Sequence, residues 1–114
     1  MSHFIEEIPA EEEFVYFFES TAIDSDPSEG YWCYKYYEGN LSLSFSFHMC
    51  ETSVQTVLEL DGRVIQVVSC EDAEEIKIDQ AKRRIDVSFT KKNNLTKLRI
   101  ELSPIKIVWS TLKV

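Results

Sequence analysis

Glycine and proline are scarce in this chain of 114 residues, with three of each. The glycines, Gly30, Gly39 and Gly62, stand alone, so no glycine-rich loop is available to cradle a phosphate. Cysteine is equally sparse. Cys33, Cys50 and Cys70 form no Cys-x-x-Cys pair, and an odd number cannot all pair within one chain, so they read as reduced thiols of a reducing compartment. No His-x-x-x-His occurs, and the one close pair of ligand-type side chains is His48 and Cys50. Two positions apart on a strand, such residues stand about 6.5–7 Å from one another at the backbone, too far for a dependable hydrogen bond. Neither a zinc site nor a Cys–His nucleophile is expected, and no two carboxylates are singled out for hydrolysis. The chain therefore reads as a non-enzyme without metal or cofactor. No apolar run approaches the roughly 20 residues of a membrane span. Met1-Ser2-His3-Phe4-Ile5-Glu6-Glu7 lacks the basic start and apolar stretch of a secretory signal, so a cytoplasmic location is expected, away from membranes.

Basic residues are missing from one part of the chain rather than from all of it. The net charge is -8, but residues 1–38 carry -9, residues 39–79 carry -6 and residues 80–114 carry +7. A negative surplus repels nucleic acid and attracts basic surfaces. Lys82, Arg83, Arg84, Lys91, Lys92, Lys97 and Arg99 read as outward positions of strands and turns, kept charged for solubility and edge protection. Nucleic acid is not an expected partner.

What is abundant is alternation. Hydrophobic residues make up 44% of the chain, enough for one core in one domain spanning 1–114. In "LSLSFSFHM", Leu41, Leu43, Phe45, Phe47 and Met49 fall on one face, with Ser42, Ser44, Ser46 and His48 on the other. "EIKID", "RIDVSF" and "KLRIEL" repeat the pattern. Turn signals divide the runs: "EGN" at 38–40, "DG" at 61–62, "DQAK" at 79–82, "KKNN" at 91–94 and "SP" at 103–104. The expected fold is mainly β: a single-domain antiparallel meander of about eight strands over 31–114, curled into a sandwich or partly open barrel. Leu43, Phe45, Phe47, Val87, Phe89, Leu98, Ile100 and Trp109 are the expected core.

An acidic segment, residues 1–30, precedes the meander. In "PAEEEFVYFFE", Pro9 suits the first helical position, Glu11, Glu12 and Glu13 suit the positive end of a helix dipole, and Phe14, Phe17 and Phe18 share one helical face. A short helix is predicted over 9–19, although Phe-Val-Tyr-Phe-Phe also favours a strand. Residues 20–30 read as a polar loop. In "YWCYKYYEG", Trp32, Tyr34 and Tyr36 share one face of a strand while Tyr31, Cys33, Lys35 and Tyr37 share the other. Tyrosine and tryptophan bury much area at little entropic cost, so an exposed face here would form an aromatic anchor beside acid.

With "EIPAEEEFVYFFE", "AIDSDPSEGYWCYKYYEG" and the β meander in one small acidic chain, the protein resembles in type the immunity proteins of bacterial toxin–immunity systems, including contact-dependent growth inhibition. Such proteins bind and neutralise a cognate toxin domain, often a basic nuclease. The resemblance implies a non-enzymatic inhibitor with a basic protein partner. The chain's own charge and aromatic pattern supplies the candidate contact residues: Glu11, Glu12, Glu13, Asp24, Asp26, Glu29, Tyr31, Tyr37 and Glu38. Two other readings stand beside it. One is an assembly component of a phage or secretion system, the other a small-ligand-binding β-barrel.

Overall fold

The structure is a computed structural model that describes residues 5–91 and 94–113. Its elements are α1 (Glu11–Phe18), β1 (Asp24–Asp26), β2 (Tyr31–Glu38), β3 (Leu41–His48), β4 (Ser53–Leu60), β5 (Arg63–Cys70), β6 (Ala73–Asp79), β7 (Arg84–Lys91), β8 (Asn94–Glu101) and β9 (Lys106–Lys113). They form two antiparallel sheets, β1-β2-β3-β4-β5 and β6-β7-β8-β9, each in sequence order. The meander is therefore present, split into two layers, and it does not close into a barrel.

The turns sit where the sequence marks them. Asp61 and Gly62 both have positive φ, 53° and 78°, the requirement of a two-residue hairpin turn that matches strand twist. Pro104 lies in the corner between β8 and β9 and leaves both ladders intact. Of the expected turn at 91–94, Lys92 and Asn93 lie outside the described residues. The expected polar loop at 20–30 differs: Asp24, Ser25 and Asp26 pair with Cys33, Trp32 and Tyr31 as a three-residue edge strand. A run of Asp and Ser has low strand propensity. It is held here by its neighbour, with the Ile23 N–H donating to the Cys33 carbonyl at 2.8 Å.

One core joins both layers. Leu43, Phe45, Phe47, Val87, Phe89, Leu98 and Ile100 are buried as expected, together with Tyr34, Val54, Ile76 and Ile85. Trp109 is only half-buried. It stacks on Phe89 at 5.8 Å from β9, which has a neighbour on one side only. The helix completes the core. Phe14, Phe17 and Phe18 are buried, and Phe14 stacks against Tyr34 at 5.2 Å and Phe47 at 5.0 Å. The strand tendency of this segment loses because three phenylalanines on one helical face fill the gap beside the first sheet. Pro9 precedes the helix instead of opening it, and Ala10 is the N-cap. Alanine offers no side-chain acceptor, so only half of a capping box exists: the Glu13 carboxylate accepts from the Ala10 N–H at 3.1 Å.

The segment before the helix ties the layers together. The Ile5 N–H donates to the Met49 carbonyl, and Glu7 forms a parallel bridge with Glu75, which covers the outer edge of β6.

Candidate binding surface

Cross-strand partners in an antiparallel sheet share a face. Phe14 of the helix meets Tyr34, Phe45 and Phe47, which fixes that side of the first sheet as inner. The alternate residues then form the outer face. Across β1 to β4 these are Asp24 and Asp26, then Tyr31, Cys33, Lys35 and Tyr37, then Ser42, Ser44, Ser46 and His48, then Ser53, Gln55, Val57 and Glu59. No element packs over this face among the described residues.

Its geometry is a shallow, polar trough with aromatic margins. Serines form the floor. Ser42 and Ser46 are buried, flanked across the strands by Tyr37 and Glu59 and by Cys33 and Gln55. Lys35 reaches across to Glu59 with Nζ to Oε2 at 3.0 Å, while Ser42 Oγ donates to the same oxygen at 3.4 Å. This hydrogen bond to the Glu59 carboxylate raises the Lys35 pKa above its ordinary value. The Lys35 ammonium also lies 5.3 Å from the Tyr37 ring centre. Tyr37 is 67% exposed. Tyr31 lies over His48, ring centres 6.2 Å apart, and burial pushes its phenol pKa up. Burial likewise raises the Cys33 thiol beside it, which keeps it protonated and unreactive. His48 Nε2 faces Glu51 at 3.6 Å and Glu29 at 3.9 Å.

The nine candidate residues divide by side. Asp24, Asp26, Tyr31 and Tyr37 share the outer face, and the His48 contact brings Glu29 to the Tyr31 end of it. Glu11, Glu12 and Glu13 lie in the first turn of α1, on the inner side. Glu13 caps the helix, and Glu11 borders an apolar cavity of about 190 Å³ between α1 and β2. Glu38 belongs to the inner-face register of β2, where its carboxylate accepts from the Ile105 N–H at 3.4 Å.

The sequence reading placed His48 and Cys50 on one strand face. β3 ends at His48, so Cys50 lies in the following turn. His48 Nδ1 accepts from the Glu51 N–H at 3.3 Å. None of the three cysteines forms a disulfide, and among the described residues no three His, Cys, Asp or Glu side chains cluster as metal ligands. Among those residues, no helix is long and apolar enough to cross a membrane.

The sequence reading missed an apolar strip on β5. Val64, Ile65 and Val67 are 56%, 56% and 53% exposed. A bulge after Leu58 leaves Ile65 without a partner on β4 and breaks the alternation. The run "RVIQVVS" carried a signal, since it lacks period-two polarity. A strand buried on both faces reads the same way.

No family profile matches the chain, and no curated protein matches it significantly. A search of solved structures gives a different result. The fold is similar to that of a chain in a contact-dependent growth inhibition toxin–immunity protein complex from Klebsiella pneumoniae 342. The match has a TM-score of 0.86 at 28% identity and covers 96% of this chain and 99% of that one. The resemblance to toxin–immunity systems drawn from composition and pattern is thus met by a full-length structural likeness. A barrel enclosing a ligand is not, because the sheets remain open.

Proposed function

We propose that this protein is an immunity protein that binds a cognate toxin domain of a contact-dependent growth inhibition system and blocks it without catalysis. The observation that carries this reading is the likeness to a chain of a toxin–immunity complex along nearly the whole length of both proteins. A likeness that spans 96% of this chain and 99% of that one favours the same kind of work. Immunity acts where the toxin would act, which agrees with the expected cytoplasmic location.

The toxin partner is a basic domain, and a nuclease fits best. A nuclease cleft is cationic because it holds phosphates, and carboxylates can occupy the same positions. The contact is placed on the outer face of the first sheet, with Asp24, Asp26 and Glu29 steering approach and Tyr31 and Tyr37 anchoring the complex. Tyr37 fits this role through its exposure, with the Lys35 ammonium 5.3 Å from its ring centre. Glu11, Glu12, Glu13 and Glu38 add to the field of the molecule but not to the contact itself.

The test is a titration of the toxin domain encoded beside this gene against wild type, Asp24→Asn/Asp26→Asn/Glu29→Gln, and Tyr31→Ala/Tyr37→Ala. The acid variant should associate more slowly, with a flatter dependence on salt. The tyrosine variant should dissociate at least tenfold faster. Failure of wild type to bind or protect would overturn the immunity reading. Equal rates in all three proteins would overturn only the placement of the contact.

A further inference from the structure

The two sheets present four outer edges, and three of them are blunted. β1 is three residues long and reads Asp-Ser-Asp. β6 is covered by the segment at Glu6 and Glu7. β9 opens on an exposed lysine, Lys106. These are the ordinary devices that stop sheets from pairing edge to edge. β5 is neither short nor covered nor lysine-tipped, and its one interruption is the bulge at Ile65, beyond which Gln66 to Cys70 form a regular ladder with β4. It runs for eight residues, it is paired on one side only among the described residues, and its single charge is Arg63 at the turn end. Val64, Ile65 and Val67 are each more than half exposed along it.

We propose that β5 is the interface for a second copy of this chain, joined edge to edge about a two-fold axis. Charge selects this occupant. The molecule carries -8, so two copies repel one another over most of their surfaces. The strip from Val64 to Cys70 carries no charge at all, so two copies meet there without opposing like charges. A cationic partner gains nothing from a strip that holds no carboxylate and begins with an arginine. Antiparallel strands related by a two-fold axis present the same surface to each other, so the valines and isoleucine of one copy cover those of the other. The backbone groups on the free side of β5 gain partners, and the five-stranded sheet becomes one of ten. The pairing is compatible with the toxin contact. Tyr31 and Tyr37 lie on β2, three strand spacings or about 14 Å from β5, and in a dimer each copy keeps its own tyrosine margin away from the axis.

The inference stands apart from the toxin reading, and its test needs no toxin. Sedimentation equilibrium of wild type across a hundredfold range of concentration should show a monomer–dimer equilibrium. Ile65→Lys and Val67→Lys place a charge at exposed positions where folding tolerates it, which far-UV circular dichroism checks. Each should raise the dimer dissociation constant at least tenfold. Hydrogen exchange of wild type gives an independent readout: amides of β5 should exchange more slowly at high concentration than at low, while those of β1 stay unchanged. A strictly monomeric wild type would overturn the proposal. So would a dimer that persists in both lysine variants. Protection of β5 that appears only on adding the toxin domain would also overturn it, by assigning the strip to that partner.

Discussion

Phe14→Ala tests whether the helix is part of the core or an attachment to it. The Phe14 side chain is wholly buried, with ring centres 5.0 Å from Phe47, 5.2 Å from Tyr34 and 6.3 Å from Phe45. Truncating a buried phenylalanine costs about 3–5 kcal/mol. The upper half of that range applies here, because an eight-residue helix does not persist without its packed face. Loosening α1 also weakens the burial of Phe17 and Phe18. A chain of this length is stable by roughly 6–17 kcal/mol, so the loss of about 4 kcal/mol leaves it folded but visibly weaker. With a urea slope near 2 kcal/mol/M, the midpoint should fall by about 2 M. Glu12→Gln on the exposed side of the same helix is the control and should change stability by less than about 0.5 kcal/mol. A midpoint shift below about 0.5 M with an unchanged slope would refute the burial argument. Loss of helical signal with the sheet transition unmoved would show that α1 is separable from the core.

Tyr34→Phe should leave stability unchanged or raise it by up to about 1 kcal/mol in urea unfolding, because the buried Tyr34 hydroxyl has no hydrogen-bond partner among the described residues. In the wild type, burial and the Glu11 carboxylate push this phenol up to about 12. Its neutral form is favoured by folding, so that contribution is complete below pH 10 and lost as pH rises towards 12; ultraviolet titration should show a phenol ionising near pH 12 that Tyr34→Phe removes. Gly30→Ala should lower the thermal midpoint by several degrees, since φ there is +70° and the new Cβ would lie 2.9 Å from the Met49 Cβ. Glu7→Gln addresses the two carboxylates of the parallel bridge, where a shared hydrogen bond raises the Glu7 pKa and lowers that of Glu75. The raised group stabilises below its ordinary pKa and loses its effect as pH climbs through the raised value; the lowered group does the reverse as pH falls. The bridge is therefore strongest near the ordinary carboxylate value, and the thermal midpoint of wild type should decline relative to Glu7→Gln as pH rises above that value.

Period-two alternation is a local consequence of burying one strand face, so "LSLSFSF", "RIDVSF" and "KLRIEL" announced their strands and their inward side chains. Asp61-Gly62 announced a turn because few residues accept two positive φ angles in succession. The break between the two sheets at Glu71-Asp72 left no such mark. It depends on how far the first sheet curls before the chain departs, which is set by packing between distant residues. β1 was hidden for a related reason: Asp-Ser-Asp has no strand preference of its own and pairs only because β2 lies alongside. At the candidate surface, Tyr31 and Tyr37 were placed correctly on a common face by alternation alone. The division of the acids was not legible, since adjacency in sequence says nothing about which side of a sheet a preceding helix will cover.

That division explains how a chain with a basic C-terminal third still presents an acidic face. Four bases of the second sheet and its first turn are tied locally. Arg99 Nε donates to Asp86 at 2.9 Å, Arg84 lies 3.3 Å from the same carboxylate, Lys77 lies 3.5 Å from Glu75, and Arg83 reaches back to Glu19 at 3.1 Å. At the other margin, neither Asp24 nor Asp26 has an ion-pair partner among the described residues, and Lys35, the one nearby base, is taken by Glu59. Exposed pairs contribute little to stability, but they cancel the far field of both members. What survives beyond a screening length of about 8–10 Å is the charge left unpaired, and on the first sheet that charge is acid beside tyrosine. The acids of "PAEEEFVYFFE" thus serve the fold through Glu13 and the helix dipole. The shorter "DSD" at 24–26 carries charge without an ion-pair partner among the described residues, and in the proposed complex it is this charge that meets the toxin.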